Sequence, residues 1–244
     1  MIAIAGLCKR FGHVEAVRHV TFDAADGTVT GLLGHNGAGK TTTLRMLSGL
    51  MRPDAGTIVV DGVDVSADPI GSQRAMGVLP DSRGLYPRLS PREHIRYFGE
   101  LHGLSTAAIR ERSASLLQRL GLEPVADRRV AGFSQGERTK VALARALVHG
   151  PRNVILDEPT NGLDVMSTRA MRGLIRGLRQ DGCCVLFSSH VMQEVSALCD
   201  RIVVISQGTV VAAGAPDELR ALTGKSDLED AFVALSGVEA EAVE

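Results

Sequence analysis

Hydrophobic positions along this chain alternate between two spacings. Two short apolar stretches, Ile2–Leu7 and Val14–Phe22, flank Phe11-Gly12, and Thr57-Ile58-Val59-Val60 runs from the turn Pro53-Asp54-Ala55-Gly56 to Asp61-Gly62. Short strands joined by such turns predict a small antiparallel sheet at the edge of the molecule. Thr28-Val29-Thr30-Gly31-Leu32-Leu33 is a further β-prone run, and Met76-Gly77-Val78-Leu79-Pro80 ends this part. From about Ser82 to Gly132 the spacing becomes helical. Ser90-Pro91-Arg92-Glu93 has capping-box residues with proline at the first helical position, so a helix starts there, with Ile95, Phe98 and Leu101 on its apolar side. A second helix is expected from Thr106 to Leu120, with Ile109, Leu116, Leu117 and Leu120 inward and Gly121 as its stop.

From Val154 strands and helices alternate. Strand Val154-Ile155-Leu156-Asp157 precedes a helix from about Ser167 to Arg179, then strand Val185-Leu186-Phe187, a helix after His190, and strands Ile202–Ile205 and Thr209–Ala213 around Gln207-Gly208. On the Ser167–Arg179 helix, Met171, Leu174, Ile175 and Leu178 form one stripe, and Arg169, Arg172, Arg176 and Arg179 form the other, expected as a solvated face. The fold class is therefore α/β: one domain over residues 1–244, with an antiparallel β subdomain, a helical subdomain inserted at about 83–135, and an acidic, frayed tail at 237–244.

Composition narrows the picture. At 244 residues and 44% hydrophobic, the chain can bury one large core. A net charge of -1 argues against a general attraction to nucleic acid or anionic lipid. No apolar run approaches the roughly 20 residues needed to cross a bilayer. Met1-Ile2-Ala3-Ile4-Ala5-Gly6 lacks a basic, cleavable start, and Cys8, Cys183, Cys184 and Cys199 have no metal-ligand spacing. Reduced thiols in a cytosolic chain are expected.

The chemistry centres on Gly34-His35-Asn36-Gly37-Ala38-Gly39-Lys40-Thr41, after a strand and before the helical Thr42-Thr43-Leu44. This is the context of a phosphate-binding loop. Glycines turn successive N–H groups toward phosphate oxygens, and the helix N-terminus adds its partial positive charge. Lys40 is expected to reach the β- and γ-phosphates, and the Thr41 hydroxyl to ligate Mg²⁺. Asp157 and Glu158 end an apolar strand, so the first acid is expected to hold Mg²⁺ and the second to orient water at the γ-phosphate. His190 should emerge at the same sheet edge as a γ-phosphate donor. Phe133-Ser134-Gln135-Gly136-Glu137 has capping-box spacing before Val141–Leu147, and a capped helix N-terminus is also an anion site.

In their order, Gly34–Thr41, Phe133–Glu137, Leu156-Asp157-Glu158-Pro159-Thr160, Asn161-Gly162-Leu163-Asp164 and His190 resemble the nucleotide-binding subunit of ABC transporters. The resemblance implies a P-loop core that binds ATP and Mg²⁺ and closes as a head-to-tail dimer. Such a dimer drives separate membrane-spanning permease subunits from the inner face of the membrane. It also implies that Phe11 stacks on adenine and that Ser134, Gln135, Gly136 and Glu137 meet ATP held by the opposite subunit. Asp164 would link the two sites. Asp81 stands where the family usually has Gln or Glu in the loop entering the helical subdomain, and its shorter arm leaves direct contact with Mg²⁺ open. The signature reads Phe-Ser-Gln-Gly-Glu, and Asn161 replaces a frequent serine. Gly84-Leu85-Tyr86-Pro87, Ser134-Gln135-Gly136 and Leu228-Glu229-Asp230-Ala231-Phe232 resemble the bacterial ABC-2 exporter type, sodium-efflux subunits in particular. Two alternatives remain at this point: a soluble ABC ATPase of translation or repair, and a P-loop kinase acting on a small molecule.

Overall fold

The computed structural model describes residues 1–237. Strands β1 (Ile2–Phe11) and β2 (Val14–Ala24) form a hairpin, and β3 (Val29–Leu33) leads into α1 (Lys40–Leu47). Then come β4 (Ala55–Val60), β5 (Val63–Asp64), α2 (Pro69–Arg74) and β6 (Met76–Leu79). The helical stretch holds α3 (Pro91–Leu101), α4 (Thr106–Arg119), two 3-10 turns and α5 (Gln135–Leu147). The chain continues through β7 (Asn153–Asp157), α6 (Val165–Gln180), β8 (Cys184–Ser189), α7 (Met192–Leu198) and β9 (Arg201–Ser206). It closes with β10 (Thr209–Gly214), α8 (Pro216–Thr223) and α9 (Leu228–Ser236).

The strands form two sheets. One is antiparallel in the order β2-β1-β4-β5; the other runs β10-β9-β3-β8-β7-β6, parallel from β9 to β6 with β10 as an antiparallel edge. The apolar runs of the central strands follow from burial on both faces. Val29, Leu33, Val154, Leu156, Val185, Phe187, Ile202 and Val204 join the core under the helices. The alternate positions Leu32, Ile155, Leu186, Val203 and Ile205 join a second core beneath the antiparallel sheet. Period-2 side-chain alternation thus makes the large sheet the shared wall of both cores.

Register places the site. Leu33 pairs with Ser189, Ser188 with Asp157, and Leu156 with Leu79. The segments after β3, β6, β7 and β8 therefore leave the sheet at one carboxyl edge, the usual position of a ligand site in an open parallel sheet.

Most local expectations match the structure. The α3 cap is reciprocal: Glu93 N donates to Ser90 Oγ at 3.3 Å, and Ser90 N donates to Glu93 Oε2 at 2.8 Å. Gly121, at φ 61°, follows α4 in the left-handed region, where glycine carries no Cβ penalty. The four cysteines are free thiols. Burial pushes the Cys184 thiol up to about 12 and raises Cys199 and Cys183 as well.

The arginine stripe is a largely solvated face, with Arg169, Arg176 and Arg179 exposed, and it also docks α7 and its C-terminal turn: the half-buried Arg172 grips the buried Glu194 through two bonds of 2.7 and 3.0 Å. Arg176 donates to Ala197 O at 3.2 Å, and Arg179 pairs with Asp200 at 2.7 Å. The apolar side of α3 is also divided, with Ile95 fully buried and Leu101 64% exposed. Of the tail expected at 237–244, only Gly237, the residue that ends α9, lies within the described residues.

Candidate nucleotide site

The loop between β3 and α1 is shaped by residues that have no room for side chains. Gly39 has φ 106°, and a Cβ on it would stand 2.6 Å from Ala16 O; on Gly34 it would stand 2.4 Å from Ile205 O. Gly39 occupies the N-cap of α1 and offers no side-chain cap, so the first N–H groups of the helix stay available to an anion. Lys40 is buried and folds over the loop, its Nζ donating to Gly34 O at 2.6 Å and His35 O at 3.2 Å. Burial lowers its pKa, and Glu158 and Asp157 oppose that shift. Gly39 and Lys40 line a cleft of about 420 Å³ with the rest of the loop from His35 to Thr42 and with Ala16, Asp81, Glu158, Asn161 and His190.

Asp81 and Glu158 line this cleft, and Asp157 stands behind it against Thr41. Asp157 Oδ1 accepts from Ser188 Oγ at 2.6 Å and from Thr41 Oγ1 at 3.3 Å. Burial raises its pKa; these two bonds lower it, and the nearby Asp81 and Glu158 charges raise it further. Glu158 adopts φ 46°, a left-handed conformation that costs a non-glycine residue on the order of 1–3 kcal/mol. Its backbone is held at both ends: N–H to Ser188 Oγ at 3.0 Å, and C=O from Arg83 Nη2 at 3.3 Å. Its carboxylate is shared by His190 Nδ1 at 2.9 Å and Lys40 Nζ at 3.6 Å. A carboxylate oxygen accepts, so the proton of that bond belongs to Nδ1 of His190 and Nε2 keeps the second ring position.

The remaining expected site residues lie elsewhere on the chain. The α5 capping box is complete, with Glu137 N donating to Ser134 Oγ at 3.2 Å and Ser134 N to Glu137 Oε2 at 2.8 Å. None of Ser134, Gln135, Gly136 and Glu137 lines the P-loop cleft. Gln135 borders an adjoining cleft that Asp81 and Arg83 also line, while Gly136 faces Ser167. Asp164 caps α6, its Oδ1 accepting from Ser167 N at 2.8 Å, and those bonds hold its carboxyl below the ordinary value. Phe11 ends β1 with 47% of its surface exposed and Lys9 Nζ 5.8 Å from its ring centre, outside the cleft lining. Among the described residues no three His, Cys, Asp or Glu side chains are grouped to hold a metal by themselves.

Sequence reasoning missed Ser188 and Arg83. Ser188 has a legible signal, since the pair Ser188-Ser189 ends an otherwise apolar strand before His190. Arg83 has none: its partners Thr139 and Glu158 are remote in sequence.

The match to the ABC transporter family runs over residues 17–161, from β2 past the acids of β7. The chain belongs to the ABC transporter family. The ATP-binding protein NatA of Bacillus subtilis (strain 168) is 42% identical over 238 residues, 96% of this chain and 97% of that protein. The Nod factor export ATP-binding protein I of Burkholderia orbicola (strain AU 1054) is 42% identical over 211 residues, covering 86% of this chain and 69% of its own length. The solved structure of an ATP-binding subunit of an ABC transporter superposes with a TM-score of 0.89 at 30% identity, covering 96% of this chain and 99% of that one. A dimeric bacterial ABC cassette shares the fold at a TM-score of 0.80 and 23% identity, over 88% of this chain and 98% of its own. As an ABC ATPase, this chain binds and hydrolyses ATP in the service of transport, and the kinase alternative falls away.

Proposed function

We propose that this ABC ATPase powers an exporter of the ABC-2 type, with two copies closing head to tail over two ATP molecules. The observation that carries this reading is the separation of two anion-ready helix N-termini. Lys40 begins the helix of the P-loop cleft, whereas Ser134 begins α5 outside it. Because Ser134 stands outside the cleft that Lys40 lines, two antiparallel copies would let each α5 complete the other's site. The dimeric form of the related cassette supports the arrangement. ATP-driven association of Glu158→Gln chains tests it.

Within each site, Lys40 and the α1 N-terminus bind the β- and γ-phosphates, and His190 donates to the γ-phosphate. Glu158 orients the attacking water, Phe11 stacks on adenine, and Asp164 relays between the two sites. A divalent cation such as Mg²⁺ fits the oxygen donors here, because the Thr41 hydroxyl and the buried Asp157 carboxylate stand 3.3 Å apart and Asp81 borders the same small cavity as Asp157. Thr41 and Asp157 would hold it, Asp81 through water, and the cation would supply charge neutralisation for the phosphates.

The helical subdomain, about 83–135, passes the stroke to permease subunits, and thereby the chain is held at the inner face of the membrane. Among the described residues no helix is long and apolar enough to cross a membrane. A groove of about 360 Å³ lined by Leu50, Val78, Pro80 and Phe98 borders the core and α3 and suits a cytosolic helix of the permease. Export by the Nod factor relative supports the direction of transport. Likeness to sodium-efflux subunits makes Na⁺ the cargo of this proposal.

A further inference from the structure

Arg83 joins three parts of the molecule through one buried guanidinium. Its Nε donates to Thr139 Oγ1 of α5 at 3.2 Å. Its Nη1 donates to Pro80 O at 2.7 Å and Asp81 O at 3.1 Å, and its Nη2 donates to Glu158 O at 3.3 Å. Only 8% of the residue is exposed, and no carboxylate forms an ion pair with it among the described residues. Backbone carbonyls and one hydroxyl take the donors, while the charges of Asp81 and Asp157 support the cation at longer range. A buried charge held this way is costly unless its geometry is closely satisfied.

The partners are what make this joint functional. Glu158 carries the left-handed backbone of the site, and its carbonyl is the one atom of that strained peptide that Arg83 grips. Asp81 lines the phosphate cleft from the loop after β6. Thr139 lies on α5, five residues past the Ser134 cap. A displacement of α5 or of the Asp81 loop is therefore delivered to the backbone that aims the Glu158 carboxylate.

We propose that Arg83 is a positioning residue for hydrolysis: it fixes the Glu158 peptide and makes its orientation depend on the seating of α5 and the Asp81 loop. This rests on Glu158 orienting the water. Arg83 does not line the P-loop cleft, so its loss should lower turnover while leaving ATP binding in place. Lysine has three donors on one atom and cannot span the planar fork, so it should rescue in part.

The test measures kcat and KM for ATP, with the affinity of a fluorescent ATP analogue, on the full chain carrying Arg83→Gln, Arg83→Lys, Thr139→Val or Glu158→Gln. Arg83→Gln should lower kcat on the order of 100-fold, the scale of a small misplacement of a catalytic group, with KM and affinity nearly unchanged. Arg83→Lys should lie between it and the parent. Thr139→Val, which removes only the α5 arm, should lower kcat several-fold with the same KM, and it carries the test if Arg83→Gln does not fold. Full turnover in Arg83→Gln or Thr139→Val, or a raised KM at unchanged kcat, would overturn the proposal while an inactive Glu158→Gln leaves the water assignment standing. Full turnover in Glu158→Gln would overturn both.

Discussion

His190 Nδ1 donates to Glu158 Oε2 at 2.9 Å, while the other carboxylate oxygen stands 3.6 Å from Lys40 Nζ. The residue assigned to water thus has as neighbours the two groups assigned to the γ-phosphate. His190 and Lys40 can exchange the carboxylate for phosphate oxygens, each donor keeping its direction while its acceptor changes, and the carboxylate is then left to accept from a water. Placement of the three groups at one edge follows from the pairing of Asp157 with Ser188 and of Leu33 with Ser189.

Replacing Glu158 by glutamine keeps the shape and removes the basic oxygen. Turnover should fall by about 10²–10⁴, the usual contribution of a positioned acid–base group. Binding of a fluorescent ATP analogue should persist. Phosphate release assayed beside nucleotide binding checks both parts, and near-normal hydrolysis would refute the assignment.

Asp157→Asn should separate stability from activity. Burial raises the Asp157 pKa above its unfolded value, so the folded state holds that proton more tightly. That contribution to stability is complete below the ordinary aspartate value and is lost as pH rises through the folded value. Asparagine keeps an oxygen to accept from Ser188 and Thr41 without the charge. Urea unfolding should show the variant gaining on the parent as pH rises from 4 to 7, while stabilisation by Mg²⁺ with ATP disappears. A variant that loses ground to the parent as pH rises over that range would contradict the account.

Asp81 borders both the P-loop cleft and the neighbouring cleft that holds Gln135 and Arg83. Its replacement by alanine should therefore affect transmission more than hydrolysis. In a complex reconstituted with permease subunits, Asp81→Ala should lower transport per ATP more than ATPase rate. Equal losses would make Asp81 an ordinary site residue.

How much of this was legible in the sequence depended on whether the partners were local. The P-loop, the α3 and α5 capping boxes and the central strands are written in spacings of a few residues, and the structure reproduces them. Short α2 escaped notice although Asp68 caps it and Pro69 opens it, because a six-residue helix has too few turns to display a period. Helices α8 and α9 were likewise unread as helices. The exposed face of the α6 arginines was legible, but not the docking of Arg172 and Arg179, because Glu194 and Asp200, which receive them, belong to another stretch of chain. Arg83 was invisible for the same reason, since its burial is decided by Thr139 and Glu158.

Head-to-tail sharing of the site is the central claim, and light scattering on purified chains measures it most directly. Glu158→Gln chains should be monomeric alone and dimeric with ATP, because slow hydrolysis lets the closed form accumulate. Adding Ser134→Arg should keep them monomeric at the same ATP concentration, since the side chain fills the anion position at the start of α5 and removes its cap. Binding of the ATP analogue should be equal in both proteins, which places the defect at the second surface. If the double variant dimerises with ATP as readily as Glu158→Gln alone, Ser134 does not complete the partner's site and the account is wrong.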